Sequence, residues 1–220
     1  MKIQYCAVLI VVLFSLIPRT QAFVAVVETV PTQYEVITIQ NPEIEQLILG
    51  ELTDAPEMFE IVSEVPFTLT AEIRAVPNTS GANLPQLGGI IILQKEIRGV
   101  EEVARLNASD AAWTVVTDPE SGLVYQAGPY FSEPVPAGTY RIEVSSPNNK
   151  GKYLLLIGNQ KDENGYFASL SDIKRAYAFY DLSTIRMVSS PYVFYPLGIM
   201  MILSLIVGTW FFRRSHIHYA

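Results

Sequence analysis

Residues 138–158, GTYRIEVSSPNNKGKYLLLIG, decide the fold. Tyr140, Ile142 and Val144 alternate with Arg141 and Glu143, so an extended chain here is apolar on one face and charged on the other. Successive side chains of a strand point to opposite faces, and this period of two predicts a strand with one buried face. Asn148-Asn149-Lys150-Gly151 then reads as a turn. After it, Tyr153–Ile157 is apolar without a break and bounded by glycine, the pattern of a strand buried on both faces.

The same signatures recur outward from this stretch. Phe67, Leu69, Ala71 and Ile73 alternate with Thr68, Thr70, Glu72 and Arg74, and Ile90–Leu93 is a second continuous apolar run. Phe23–Val30, Tyr34–Ile39, Met58–Val62 and Trp113–Thr117 are further strand candidates. Turn chemistry separates them at Asn41-Pro42, Asp54-Ala55-Pro56, Asp118-Pro119 and Pro136-Ala137-Gly138. Many short strands with no long helix between them predict a mainly β protein, an antiparallel sandwich. The period changes at Ser169–Leu182, where Leu170, Ile173, Tyr177 and Tyr180 recur at helical spacing. A short amphipathic helix is expected there. Its stripe suits packing on the sandwich, with lipid headgroups as the alternative for Lys174 and Arg175.

Both ends of the chain are apolar. Lys2 precedes a core from Tyr5 to Ile17, Pro18 breaks it, and Thr20-Gln21-Ala22 offers small residues before Phe23, as in a signal peptide. Residues 193–212 (VFYPLGIMMILSLIVGTWFF) carry no charge and have the length of a membrane-spanning helix, which needs about 20 residues. Aromatic residues stand at both of its ends, and Arg213 and Arg214 follow, so the positive-inside rule puts the tail in the cytoplasm. The expected organisation is a signal peptide (1–22), an exported β-sandwich (23–168), a juxtamembrane helix and linker (169–190), a transmembrane helix (191–212) and a cytoplasmic tail (213–220). Ser204 and Gly208 have the small-residue spacing that lets two such helices approach closely.

Composition narrows the chemistry. Residues 23–190 hold all 22 acidic side chains against 11 basic ones, and ten acids precede the first cation, Arg74. Nucleic acid is disfavoured as a partner, because its phosphates require clustered cations. Cys6 is the one cysteine and lies in the signal, so the exported part is expected to have no disulfide and no thiol nucleophile. His216 and His218 are the two histidines, both in the tail, which disfavours histidine-based triads and zinc sites in the exported part. No P-loop or dinucleotide fingerprint occurs. Asp162-Glu163-Asn164-Gly165 lacks the further ligands of a calcium loop and reads as a turn. No cofactor or metal is expected. Asn78-Thr79-Ser80 and Asn107-Ala108-Ser109 are glycosylation sequons, meaningful only in a host that glycosylates.

One resemblance arises from Val135-Pro-Ala-Gly-Thr-Tyr-Arg-Ile-Glu-Val144 followed by Gly151-Lys-Tyr-Leu-Leu-Leu-Ile-Gly158. These residues resemble the closing strands of bacterial pre-peptidase C-terminal domains. Gly50-Glu51-Leu52, Met58–Ile61, Phe67–Ile73 and Gly89–Leu93 are similar to its earlier strands, so the likeness covers roughly residues 45–158. The resemblance implies a jelly-roll-like β-sandwich, usually a non-catalytic module of exported proteins. The expectation is therefore a non-catalytic, single-pass, membrane-anchored extracytoplasmic module that binds a protein or surface glycan, or an accessory subunit of a membrane complex. The alternative is an exported hydrolase working through a carboxylate pair. Tyr125, Tyr130 and Phe131, set among turn residues, are candidates for an aromatic binding surface; otherwise they cap the end of the sandwich.

Overall fold

The computed structural model describes residues 25–27, 35–75, 88–110, 112–161 and 166–217. In chain order its strands are β1 (Ala25–Val27), β2 (Val36–Ile39), β3 (Gln46–Thr53), β4 (Glu57–Ser63), β5 (Phe67–Ala75) and β6 (Gly89–Glu96). They continue as β7 (Gly99–Asn107), β8 (Thr114–Thr117), β9 (Val124–Val135), β10 (Gly138–Ser145) and β11 (Lys150–Ile157). Helix α1 (Tyr166–Phe179), a 3-10 segment (Thr184–Ser189) and helix α2 (Pro191–Ile217) follow. The signal segment, the Asn78 sequon and the Asp162–Gly165 turn lie outside the described residues.

A six-stranded sheet in the order β1-β3-β11-β5-β9-β8 faces a five-stranded sheet in the order β2-β4-β10-β6-β7. The expected sandwich is present, mostly antiparallel. Two pairs at the N-terminal edges, β1 with β3 and β2 with β4, are parallel, because consecutive strands there alternate between the sheets. The stretch that decides the fold is no hairpin: β10 and β11 lie in opposite sheets, and the Ser146–Asn149 turn carries the chain between them. Asn149 takes a left-handed φ of 47° there, and its side chain accepts from the Ser146 amide at 3.2 Å.

Tyr140, Ile142 and Val144 are fully buried and meet Phe59, Ile61, Leu69, Ile73, Ile90 and Ile92 in the inter-sheet core. Arg141 lies on the other face, 3.4 Å from Glu60 of β4. In the Pro-Ala-Gly turn the Tyr140 hydroxyl donates to the Pro136 carbonyl at 2.8 Å, so one residue both plugs the core and closes the turn. Strand β7 is exposed along most of its length at a sheet edge; Val103, Ala104 and Leu106 pack against the inter-sheet core, and a bulge at Val103 breaks the alternation. Ile90–Leu93 is buried on one face only: Ile90 and Ile92 are inside, Ile91 and Leu93 half-buried.

Strand β11 has the double burial that its sequence demands. Tyr153, Leu155 and Ile157 enter the inter-sheet core, while Leu154 and Leu156 enter a second core with Leu47 and Leu49 of β3 and Ile173, Ala176 and Tyr177 of α1. Helix α1 thus forms a third layer. It begins at Tyr166, three residues before the expected start, and Lys152 of β11 closes its far end by donating to the Phe179 carbonyl at 2.6 Å. Opposite Tyr153 stands Gly50; a Cβ there would lie 2.2 Å from the Tyr153 ring. The ring therefore lies across the glycine, and its hydroxyl bonds to buried Glu57 at the start of β4, joining the two sheets.

Two outcomes test this register. Ile142→Ala should lower the unfolding free energy of the full-length protein in detergent by about 2–5 kcal/mol and Glu143→Ala by no more than about 0.5, measured by denaturant unfolding. Equal midpoints would put the strand on the wrong face. Gly50→Ala should cost about 1–3 kcal/mol, because the Tyr153 ring must move from a packed site.

Candidate functional site

Helix α1 and the 3-10 segment cover only part of the outer face of the six-stranded sheet. Beside them a cleft of about 130 Å³ opens, with Leu47, Leu154 and Leu156 among its lining and Tyr125, Arg74, Glu45, Asp118 and Lys161 around it. Its residues come from β3 and the residue before it, from β5, β9 and β11, and from the loops at 118–123 and 158–161, so no local spacing announces it. Arg74 stacks over the Tyr125 ring at 4.4 Å and pairs with buried Glu72 at 2.6 Å. Lys161 bridges Glu45 at 2.9 Å and Glu120 at 3.5 Å. Four acids, Glu45, Glu72, Asp118 and Glu120, thus surround two cations.

The electrostatics follow from this crowding. Burial pushes Glu120 above the ordinary glutamate range; Lys161 pulls it back, while Asp118 and Glu45 push the same way as burial. For Lys161 burial acts downward, but the hydrogen bond to Glu45 and the charges of Glu45, Glu120 and Asp118 outweigh it and leave the amine raised. Burial also raises the Tyr125 phenol, against the nearby Arg74 charge. Asp118 serves the loop: its two oxygens accept from the backbone of Glu120 at 3.1 Å and of Ser121 at 3.2 Å. Among the described residues no group of three or more His, Cys, Asp or Glu side chains is arranged to hold a metal ion. Pockets for small-molecule ligands usually run from about 300 to 1,000 Å³, so this cleft suits a few waters or one small group.

The same loop reaches the foot of α2. Ser190 is buried, and its hydroxyl donates to the Glu120 carbonyl at 2.6 Å; Pro191 begins the helix and the Tyr192 amide returns to the Ser190 hydroxyl at 3.3 Å. Serine before proline is a strong helix start, since the hydroxyl satisfies an amide that the first turn leaves open. Tyr177 of α1 donates to the Ser121 carbonyl at 3.2 Å. Tyr192 and Met187 are buried in the second core. Residues Pro191–Trp210 of α2 have a mean hydropathy of 1.9 over a length sufficient to cross a membrane, and none from Val193 to Trp210 is buried.

The structure divides the three aromatic residues expected to form one surface. Tyr125 is buried in the second core, Phe131 packs against the inter-sheet core, and Tyr130 is 56% exposed. Alternation along β9 separates Tyr130 from Phe131, and a bulge sets the face of Tyr125. Ala71 pairs with Phe131 and Glu72 with Tyr130, but Arg74 pairs with Ala127, so Gly128 and Pro129 together oppose Ile73. The extra residue exchanges the faces along β9, sending Phe131 inward and Tyr125 outward under the helical layer. Glycine fits the bulge because a Cβ at 128 would lie 2.8 Å from the Ile73 carbonyl oxygen. Ser204 and Gly208 sit one turn apart on α2, with the Ser204 hydroxyl donating back to the Met201 carbonyl at 2.8 Å; Arg213 and Arg214 lie in its last turns.

No family model and no curated protein matches the chain. Among solved structures it is similar to the pre-peptidase C-terminal domain of collagenase from Bacillus anthracis, with 12% identity and a TM-score of 0.32 over 59% of this chain and 98% of that one.

Glu120 gives the cleft a measurable signature. Because its folded value is raised, the folded state takes up the proton before the unfolded state does. Stability of the wild type relative to Glu120→Gln should therefore rise as pH falls from neutrality through the folded value toward about 4.5, then level off. Parallel pH–stability curves for the two proteins would show that Glu120 is not perturbed.

Proposed function

We propose that this chain is a non-catalytic, single-pass, membrane-anchored β-sandwich outside the cytoplasm, which binds a protein or a surface glycan or serves as an accessory subunit of a membrane complex. One observation carries this reading: the second core runs without a break from β11 through α1 to Tyr192, in the first turn of the apolar helix. The sandwich is thereby held at one attitude to that helix instead of swinging on a linker. Such construction suits a protein that presents a surface at a set height above a bilayer. Tyr130, on the open part of the outer face, is the proposed centre of that surface.

The second reading, an exported hydrolase, draws on the raised Glu120 beside Asp118 and Glu45. It is the weaker one. Lys161 stands between Glu45 and Glu120, and Asp118 is engaged by its own loop. The space is also small for a substrate.

Protease added to intact cells or spheroplasts should digest the region 23–190 and spare a tag placed after Ala220; loss of the tag behind a sealed membrane would overturn the orientation. Cross-linking in intact cells should capture a partner with the wild type. Truncating a tyrosine at the centre of an interface costs about 2 kcal/mol or more, so Tyr130→Ala should weaken that capture roughly 30-fold. Unchanged capture would move the surface elsewhere.

A further inference from the structure

The first turn of α1 stands beside the first turn of α2. The Tyr166 hydroxyl donates to the Tyr192 carbonyl, and the two rings lie 5.6 Å apart. Next to this contact an open groove of about 490 Å³ is bordered by Phe167, Leu170, Lys174, Thr184, Met187 and Val193. Its surroundings are apolar and uncovered: Phe167 is 81% exposed, Ile185 79% and Val188 45%. Side chains of this kind are ordinarily buried, and a cluster of them at such exposure marks a contact surface.

The position of the groove along α2 indicates what covers it. Pro191–Trp210 is 20 residues, which at about 1.5 Å each reaches roughly 30 Å, the thickness of the hydrocarbon slab. Val193 then falls a few ångströms inside its edge. A side chain that shares a groove with Val193 lies at the boundary between headgroups and acyl chains. Elements at that boundary bury an apolar face and keep lysine or arginine at the phosphate level, which matches Phe167, Leu170 and Lys174 on the groove with exposed Ile185 next to Thr184.

We infer that this groove is a lipid-binding surface, in which Phe167, Leu170 and Ile185 enter the bilayer boundary and Lys174 meets the phosphate of an anionic phospholipid. The inference rests on the reading of α2 as a membrane span and extends lipid contact from that helix to the folded domain. The sandwich rests on the bilayer.

The test uses full-length protein in nanodiscs of phosphatidylcholine brominated near the head of the acyl chains. Phe167→Trp adds an indole at a site too exposed to disturb folding, and its emission is read as the difference from the wild type. That difference signal should shift to the blue and be quenched, as Trp210 is in the wild type. Adding phosphatidylglycerol should increase the shift, and Lys174→Glu should abolish that increase while leaving the quenching by brominated phosphatidylcholine. A difference signal from Phe167→Trp that stays unquenched while Trp210 is quenched would overturn the lipid surface and leave the groove to a protein partner. If Trp210 is unquenched as well, the membrane-span reading has failed with it. A phosphatidylglycerol response that survives Lys174→Glu would overturn the assignment of the phosphate contact.

Discussion

Double burial of β11 is the constraint on which the rest of the structure depends. Five consecutive apolar residues, Tyr153–Ile157, cannot be satisfied by a two-layer sandwich, because alternate side chains would be left in water on the outer face. A third layer has to cover Leu154 and Leu156, and α1 with the 3-10 segment supplies it. Lys152, at the start of the same strand, closes the C-terminal end of α1, so the strand both requires the helix and fixes where it stops.

That third layer also organises the junction with the apolar helix. Tyr177 of α1 bonds to the 118–123 loop, the loop accepts the Ser190 hydroxyl, and Ser190 starts α2. The charged cleft lies on the other side of this loop. A change of protonation at Glu120 therefore occurs on the same residue whose carbonyl holds the foot of α2. Cleft, loop and helix start form one mechanical unit, and the inter-sheet core behind them is the rigid support.

Much of the architecture was legible in the sequence. The alternation in Tyr140–Val144 gave the buried face of β10, the run Tyr153–Ile157 announced burial on both sides, and the uncharged stretch near the C-terminus indicated a helix of spanning length. Strand periodicity is readable because burial imposes it residue by residue. It was silent on β7, which is largely exposed at an edge and whose period a bulge at Val103 breaks, and it missed the parallel pairing of β1 and β2, which depends on the sheet that each strand joins.

The candidate sites show the same division more sharply. Tyr125, Tyr130 and Phe131 are close in sequence, yet strand alternation puts Tyr130 and Phe131 on opposite faces and the bulge at Gly128-Pro129 turns Tyr125 away from the face of Phe131; register is a property of the paired strand, Ile73 included. The cleft joins Glu45, Arg74, Glu120 and Lys161 from segments up to 116 residues apart, and no linear spacing encodes such a set. What the sequence by itself determined is which segments must be buried, on how many faces, and which helix suits a bilayer, since those follow from local hydrophobic pattern. Which polar groups meet, and which apolar ones stay uncovered at the foot of α2, was decided only by the tertiary structure, because contact between distant segments depends on sheet order and register.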